Sequence, residues 1–285
     1  MTAALIDGAA IAEQLYVDLR RRVTALGARG VRPGLAAILV GANPASEVYV
    51  RTKARACAEV GVHSVQHRLN VDCAEREIIE LLGSLNVDAS IHGILVQLPL
   101  PPGLVTGRIL QAIDARKDVD GFNWSNLGAL VDGQVRLAPC TPLGVMTMLQ
   151  HEGIEVEGRH AVVIGRSVIV GKPLALMLIA HGATVTVCNS KTPDLRHYTS
   201  QADILVVAAG KPGLVGGGML KPGAVVIDVG INRLPDGSLT GDVDFASASR
   251  VASRITPVPG GVGRLTVAML IANTVSAAET SIASR

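Results

Sequence analysis

The chain has 285 residues, too many for a minimal domain and enough for two modest domains or one large α/β unit. Hydrophobic residues make up 48% but aromatic ones only 2%, so a sizeable core has to be built from Ala, Val, Leu and Ile, as in parallel sheets covered by helices. With a net charge of +2 and both signs spread along the sequence, no basic tract or aromatic platform points to a nucleic-acid partner.

Cys57, Cys73, Cys140 and Cys188 lie far apart and form no disulfide or metal-ligand pattern, which argues against a structural zinc. The N-terminal MTAALIDGAA lacks the basic-then-apolar order of a secretory signal. The longest apolar-looking segment, SVIVGKPLALMLIAHG, is broken by Lys172 and Pro173 and is short for a membrane span. A soluble, cytoplasmic protein with no membrane partner is expected.

In chain order, GAAIAEQLYVDLRRRVTALG has helical spacing and LAAILVG reads as a buried strand. NPASEVYVRTKARACAEVG follows as a helix, with Asn43 as N-cap and Pro44 at its first position. HSVQHRL reads as a strand, AEREIIELLGSLN as a helix and IHGILVQLPLP as a strand ending in prolines. This αβαβαβ order predicts a mostly parallel sheet. A charged loop, IDARKDVDGFNWSNLG, then breaks the rhythm. In APCTPLGVMTMLQHEG, Thr141 as N-cap and Pro142 at the first helical position start a new helix, and a domain junction is expected there. Beyond it HAVVIG, ATVTVCN, ADILVVAAG and AVVIDVG are four short apolar runs at Rossmann-like intervals, and RLTVAMLIANTVSAAETSIAS is a last helix.

Two stretches carry candidate chemistry. In VVIGRSVIVGKPLALML a strand ends at Gly165 and is expected to turn directly into a helix, whose N-terminal amides favour a pyrophosphate. By the strict G-x-G-x-x-G pattern the stretch fails, because Gly165 and Gly171 are six apart and Ser167 stands where the middle glycine would be. The next strand ends in Asn189, Ser190, Lys191 and Thr192 with no carboxylate for a ribose. Arg166, Ser190 and Lys191 suit a phosphate instead, which favours NADP over NAD; the same polar residues also read as a plain strand cap. In the first half, Ser46, Tyr49 and Lys53 fall at i, i+3 and i+7 on one helix face. Spacing alone favours a solvated lysine and a packed tyrosine. The scarcity of tyrosine, three in the chain, and the helix's start just after a parallel strand favour a ligand. Gln97 ends a buried strand at the same edge, where it reads either as an edge-strand polar residue or as an amide that orients Lys53. In KDVDGF, Asp118 reads as a turn residue and Asp120 either way.

Taken together, ANPASEVYVRTK, GILVQLPLP, KDVDGF, PCTPLG, GRSVIVGKP, IDVGIN, GDVDF and TPVPGGVG, in this order, resemble the methylenetetrahydrofolate dehydrogenase/cyclohydrolase family. The resemblance implies an α/β fold with an N-terminal αβα catalytic domain (1–138), a Rossmann-like NADP-binding domain (139–264), a cleft between them, and a C-terminal helix (265–285) packing back on the first. It implies a homodimer that oxidises 5,10-methylenetetrahydrofolate to the methenyl form with NADP and hydrolyses that to 10-formyltetrahydrofolate. Lys53 would assist proton transfer, Gln97 would tune it, and Asp120 would anchor the pterin. Tyr49 would stack on the substrate's aromatic ring, and Ser46, Val96, Leu98, Pro259, Gly260, Gly261, Val262 and Gly263 would complete the folate site. Gly165, Arg166, Ser167, Ser190 and Ile231 would hold NADP.

The residues agree with that chemistry: hydride transfer needs positioning more than acid catalysis, whereas water attack on an iminium-type cation needs a proton shuttle. Asp120, acceptor-only when ionised, matches the paired donors of a pterin edge. Two places depart from the family pattern. Arg264 and Leu265 follow GGVG where Pro and Met are usual, and Asn123 and Trp124 follow DGF where a His-Pro pair is common. Two rival readings remain: an NADP oxidoreductase of another small substrate with Cys140 as thiol nucleophile, and a diverged folate- or NADP-binding copy lacking an activity.

Overall fold

A computed structural model describes residues 2–283. In chain order it contains β1 (Ala4–Leu5), α1 (Gly8–Ala28), β2 (Gly34–Val40), α2 (Pro44–Val60), β3 (His63–Leu69), α3 (Glu75–Val87) and β4 (Gly93–Val96). Three helices follow, α4 (Thr106–Gln111), α5 (Trp124–Asp132) and α6 (Cys140–His151). The rest is β5 (His160–Ile164), α7 (Gly171–Ala180), β6 (Thr184–Cys188), α8 (Leu195–Thr199), β7 (Ile204–Val207), a 3₁₀ turn (Gly217–Met219) and β8 (Val225–Asp228). It closes with β9 (Asn232–Arg233), β10 (Leu239–Thr240), α9 (Phe245–Ala248), β11 (Arg254–Ile255) and α10 (Val262–Ala283). The chain forms two compact units, one of residues 14–140 with the chain from Val267 onward, the other of the residues up to Glu13 with Thr141–Thr266. Of the expected ranges, residue 1 and the last two residues of the helix 265–285 lie outside the described residues.

The first unit is built on a parallel three-stranded sheet in the order β3-β2-β4. Strand β2 is buried along its whole length because GLAAILV is apolar on both faces, as a central parallel strand must be. Ile38, Ile78, Leu82, Ile94, Val96 and Ile109 form its core. The segment after α4 extends the sheet: Ile94 N–H donates to the Lys117 carbonyl (2.7 Å) and Ile94 pairs in parallel with Asp118. That register sets Asp120 level with Val96. Strand β4 stops at Val96, short of the expected IHGILVQLPLP, because the prolines that follow have no N–H for a ladder. The expected charged loop also gives way to α5 at Trp124, where the Asn123 side chain accepts from Ser125 N–H (2.9 Å). Helix α6 starts at Cys140 rather than after Thr141, and the Thr141 hydroxyl bonds that of Thr266 (3.1 Å) instead of capping. Pro142 still lies in the first turn, where its missing N–H costs nothing.

The second unit holds a six-stranded parallel sheet in the order β1-β11-β8-β7-β5-β6. The four expected apolar runs become β5 to β8, and the two-residue strands β1 and β11 widen the sheet beyond them. Because β5 lies between β6 and β7, the order of strand addition reverses at the β5/β7 boundary, the switch point at whose carboxyl edge open α/β sheets bind ligands.

Helix α10 contains a stretch, Val262–Ile282, of 21 residues that is long and apolar enough by length and composition to cross a membrane; it exceeds the apolar segment singled out in the sequence. More than half of it is buried within the protein, and its Asn273 side chain donates to the Val119 (2.8 Å) and Ala138 (2.9 Å) carbonyls, as a core helix would.

Candidate active site

On the three-stranded unit, α2 begins as its Asn43-Pro44 pair predicts. The Asn43 side chain accepts from Ala45 N–H (3.0 Å) and Ser46 N–H (3.2 Å), and Pro44 is the first helical residue. From that fixed start Ser46 is buried, Tyr49 is 43% exposed and Lys53 is half-buried, while Val50, one turn on from Ser46, is buried alongside it. Lys53 Nζ donates to Gln97 Oε1 at 3.0 Å, and Gln97 Nε2 donates to the Leu98 carbonyl at 2.8 Å. The ammonium needs an acceptor and the carbonyl a donor, so only one orientation of the Gln97 amide satisfies both. The contact draws together residues 44 positions apart.

Asp120 leaves the same sheet edge. Burial pushes its carboxyl up to about 6, opposed by the charge of Lys53 and reinforced by that of Asp118. Asp118 is in a turn, as expected, but is also fully buried. Its Oδ2 accepts from Asn123 N–H (2.6 Å) and Asn126 Nδ2 (3.0 Å), and its Oδ1 makes no hydrogen bond among the described residues. Burial therefore also raises its carboxyl above the usual range, against the pull of those donors. That Asn126 and Asn273 brace this segment is not legible in the sequence; a lone asparagine in the apolar run LIANTVSAA is the one signal available for Asn273.

The remaining expected folate residues divide. The Val96 side chain belongs to the core, which leaves only its main chain to a ligand, and Leu98 is half-buried against the same core. Pro259, Gly260 and Gly261 lie between β11 and α10, but Val262 and Gly263 already form the first turn of α10, and Val262 is buried. Glycine counts against a helix in its interior, yet a first turn lacks half its backbone bonds anyway, so GGVG does not delay the start. Arg264 is exposed in that turn and makes no side-chain bond among the described residues; solvent thus screens the unfavourable dipole term that its position creates. Cys140 is buried, its thiol donates to the Val119 carbonyl (3.2 Å), and burial raises it far above the range of a reactive thiol. The thiol-nucleophile reading therefore has no structural support.

On the six-stranded unit, the segment from Gly165 to Val170 separates β5 from α7, so the turn is not direct as expected. Gly165 has φ +124°, and a Cβ on it would collide with the Ala208 carbonyl; a Cβ on Gly171 would collide with the Gly165 carbonyl. The glycine pair thus packs the two loops of the switch point and the start of α7 backbone to backbone. Ser167 caps that start: its hydroxyl accepts from Val170 N–H (3.1 Å) and, more weakly, Gly171 N–H (3.4 Å), and its carbonyl accepts from Lys172 N–H. Those amides are consequently not free for a pyrophosphate, which corrects the expectation.

Strand register brings the residues expected to hold a phosphate to the same end of the sheet. Ile164 pairs with Cys188, and Arg166 and Ser190 each stand two residues beyond, exposed and without a side-chain partner among the described residues. Asn189 and Thr192 do cap the strand, with Asn189 Oδ1 accepting from Lys191 N–H and Thr192 Oγ1 from Asn189 N–H, both at 3.0 Å. No carboxylate ends β6, so this donor set fits a phosphorylated ribose. Ile231 is 47% exposed over Gly263.

Residues 6–120 match the model of the tetrahydrofolate dehydrogenase/cyclohydrolase catalytic domain, and residues 139–282 that of its NAD(P)-binding domain. The chain belongs to this family. It is 58% identical over 277 residues to the bifunctional protein FolD of Bordetella petrii, covering 97% of this chain and 94% of that one. Among solved structures, the FolD methylenetetrahydrofolate dehydrogenase/cyclohydrolase of Campylobacter jejuni superposes with a TM-score of 0.96 at 49% identity, covering 98% of this chain and 99% of that one. The Trypanosoma brucei FolD, solved with NADP cofactor and inhibitor, gives 0.95 at 39% identity and covers 99% of each. As a member of the tetrahydrofolate dehydrogenase/cyclohydrolase family the chain is a dehydrogenase and a cyclohydrolase. The family's second domain includes nearly all of α10, whereas the packing of Asn273 joins that part of the helix to the segment around Asp120.

Proposed function

We propose that one folate site on the α2 and β4 edge serves both reactions, with Tyr49, Lys53, Gln97 and Asp120 as its working side chains. The observation that carries this reading is the Lys53–Gln97 hydrogen bond. Methylenetetrahydrofolate is oxidised to the methenyl cation, which the flanking folate nitrogens stabilise, so the protein's part is to hold the substrate. Tyr49 offers an exposed ring for stacking, Asp120 accepts from the pterin's paired donors, and Ser46, Leu98 and the main chain of Val96 add folate contacts on this unit. NADP, when bound, supplies the hydride acceptor; Arg166 and Ser190 hold its ribose phosphate, and Gly165, Ser167 and Ile231 line its place.

In the hydrolysis, water attacks the methenyl carbon and its proton passes to the lone pair of Lys53 Nζ, which takes part in this step as the neutral amine because an ammonium has no lone pair to accept it. The carbon–nitrogen bond then breaks with its electron pair going to the folate nitrogen, the new hydroxyl proton is relayed to that nitrogen, and Lys53 gives its extra proton to solvent. Gln97 Oε1 fixes where Nζ stands. A copy that only bound folate would have no use for this arrangement. The test is the decay of methenyl absorbance with no NADP present: decay well above the buffer rate is expected, and decay at the buffer rate would overturn the assignment.

The phosphate assignment predicts that Ser190→Asp weakens NADP by roughly 1–3 kcal/mol through like-charge repulsion and NAD by less. An equal rise in KM for both cofactors would remove Ser190 from phosphate recognition. For Arg264, a contact with the carboxylates of the folate's glutamate tail predicts that Arg264→Pro raises the folate KM, more at low salt than at high, with the NADP KM unaffected. An unaltered folate KM at low ionic strength would leave Arg264 as a surface residue. Following the family, we assign the chain as a cytoplasmic homodimer acting on a small folate rather than on nucleic acid or a membrane, which light scattering and fractionation test.

A further inference from the structure

The motifs IDVGIN and GDVDF each bring a carboxylate that the chemistry above does not use. Asp228, the last residue of β8, is 4% exposed, and Asp242 is 0% exposed. Asp242 Oδ2 accepts from Ala209 N–H (2.6 Å) and Gly210 N–H (2.8 Å), and its Oδ1 from Lys211 N–H (2.9 Å) and Asn232 Nδ2 (2.8 Å). Three consecutive amides converging on one point form a nest, the backbone's usual cradle for an anion. Here the protein's own carboxylate fills it. Asp228 Oδ1 accepts from Gly230 N–H (2.9 Å) and Asp242 N–H (3.0 Å), and its Oδ2 from Val243 N–H (2.9 Å).

The two motifs interlock through their glycines. A Cβ on Gly230 would collide with the Asp242 carboxyl, and one on Gly241 with that of Asp228. Every bond made by the two carboxylates is accepted from an N–H, so an acceptor-only group is required: an asparagine at 242 would turn its NH₂ against two N–H donors in either orientation.

The geometry places both carboxylates at the carboxyl edge of the sheet. Asp242 ties the turn leaving β7, residues 209–211, which follows the Ala208 carbonyl packed on Gly165, to Asn232. Ile231 is then held from both sides, through Gly230 by Asp228 and through Asn232 by Asp242. We propose that Asp242, acting through Asn232 and the 209–211 turn, is a positioning residue that sets Ile231 and the switch-point loop for the cofactor. This rests on the reading of Ile231 and Gly165 as cofactor residues.

The test compares two variants of the full-length protein, Asp242→Asn and Asn232→Ala, by NADP KM in the oxidation and by hydrolysis of the methenyl compound, which needs no cofactor. Loss of one or two hydrogen bonds to a buried charge predicts an NADP KM raised about ten- to a hundredfold in Asp242→Asn and about three- to tenfold in Asn232→Ala. Hydrolysis should change by less than about twofold, a split that simple unfolding does not produce. Should Asp242→Asn fail to fold, Asn232→Ala decides alone, since Asn232 is only partly buried and its removal leaves the three amide bonds in place. A wild-type NADP KM in Asn232→Ala, or equal loss of oxidation and hydrolysis, would overturn the proposal while leaving the cofactor assignment intact. Failure of the wild-type protein to reduce NADP would overturn both.

Discussion

Lys53→Met abolishes hydrolysis of the methenyl compound while the folate still binds. The substitution keeps an unbranched stem of similar length along α2 and removes only the group that bonds Gln97 Oε1 and shuttles the proton. Proton transfer by a placed side chain contributes on the order of 10²–10⁴ in rate, and the loss should fall in that range. Oxidation, which moves a hydride and no proton in its chemical step, should lose much less. Single-turnover hydrolysis and equilibrium binding of the methenyl compound separate the two effects. A variant that hydrolyses at the wild-type rate removes Lys53 from the chemistry, and one that no longer binds folate makes it a binding residue.

The second large effect concerns Asp120, whose carboxyl burial raises to about 6. Only the ionised form presents two acceptors to the pterin's donors, so binding competence is complete above that value and lost as pH falls through it. The kcat/KM of hydrolysis should therefore drop toward a tenfold loss per unit between about pH 6 and pH 5. Asp228 is also raised to about 6, chiefly by burial, but it belongs to the cofactor sheet, so the limb seen in cofactor-free hydrolysis is assigned to Asp120. Asp120→Ala should lower kcat/KM for both reactions by about ten- to a hundredfold, the range for a lost charged hydrogen bond, and erase the limb. A limb that survives in the variant, or a flat wild-type profile across this range, contradicts the role.

What could be read from the sequence was what local rules decide. The Asn43-Pro44 start of α2 fixes the line of Ser46, Tyr49 and Lys53, and the apolar runs that became β5 to β8 announce a parallel sheet. What could not be read depends on partners distant in the chain. Two-residue strands such as β1 and β11 have no periodicity to display and exist only because the neighbouring strand pairs with them. Helix α5 hides in a charged loop because its signal is a single capping asparagine, and α10 starts inside GGVG, where propensity argues against a helix. The free amides expected at the start of α7 are taken by Ser167, a bond that depends on the loop's path rather than its composition. Asp118 reads as a turn residue in sequence, and Asp228 and Asp242 carry no local signal at all, since nothing local reveals that the amides these carboxylates accept from are buried with them.

The central claim is that one chain carries both steps on one folate. Its most direct test mixes the protein with methylenetetrahydrofolate and either NADP or NAD and follows reduced-cofactor and methenyl absorbance in the same cuvette. With NADP, reduced cofactor should rise from the start while the methenyl signal rises transiently and decays, and NAD should support a slower rise. Absence of any reduced cofactor, or a methenyl signal that accumulates to the end without decay, would contradict it.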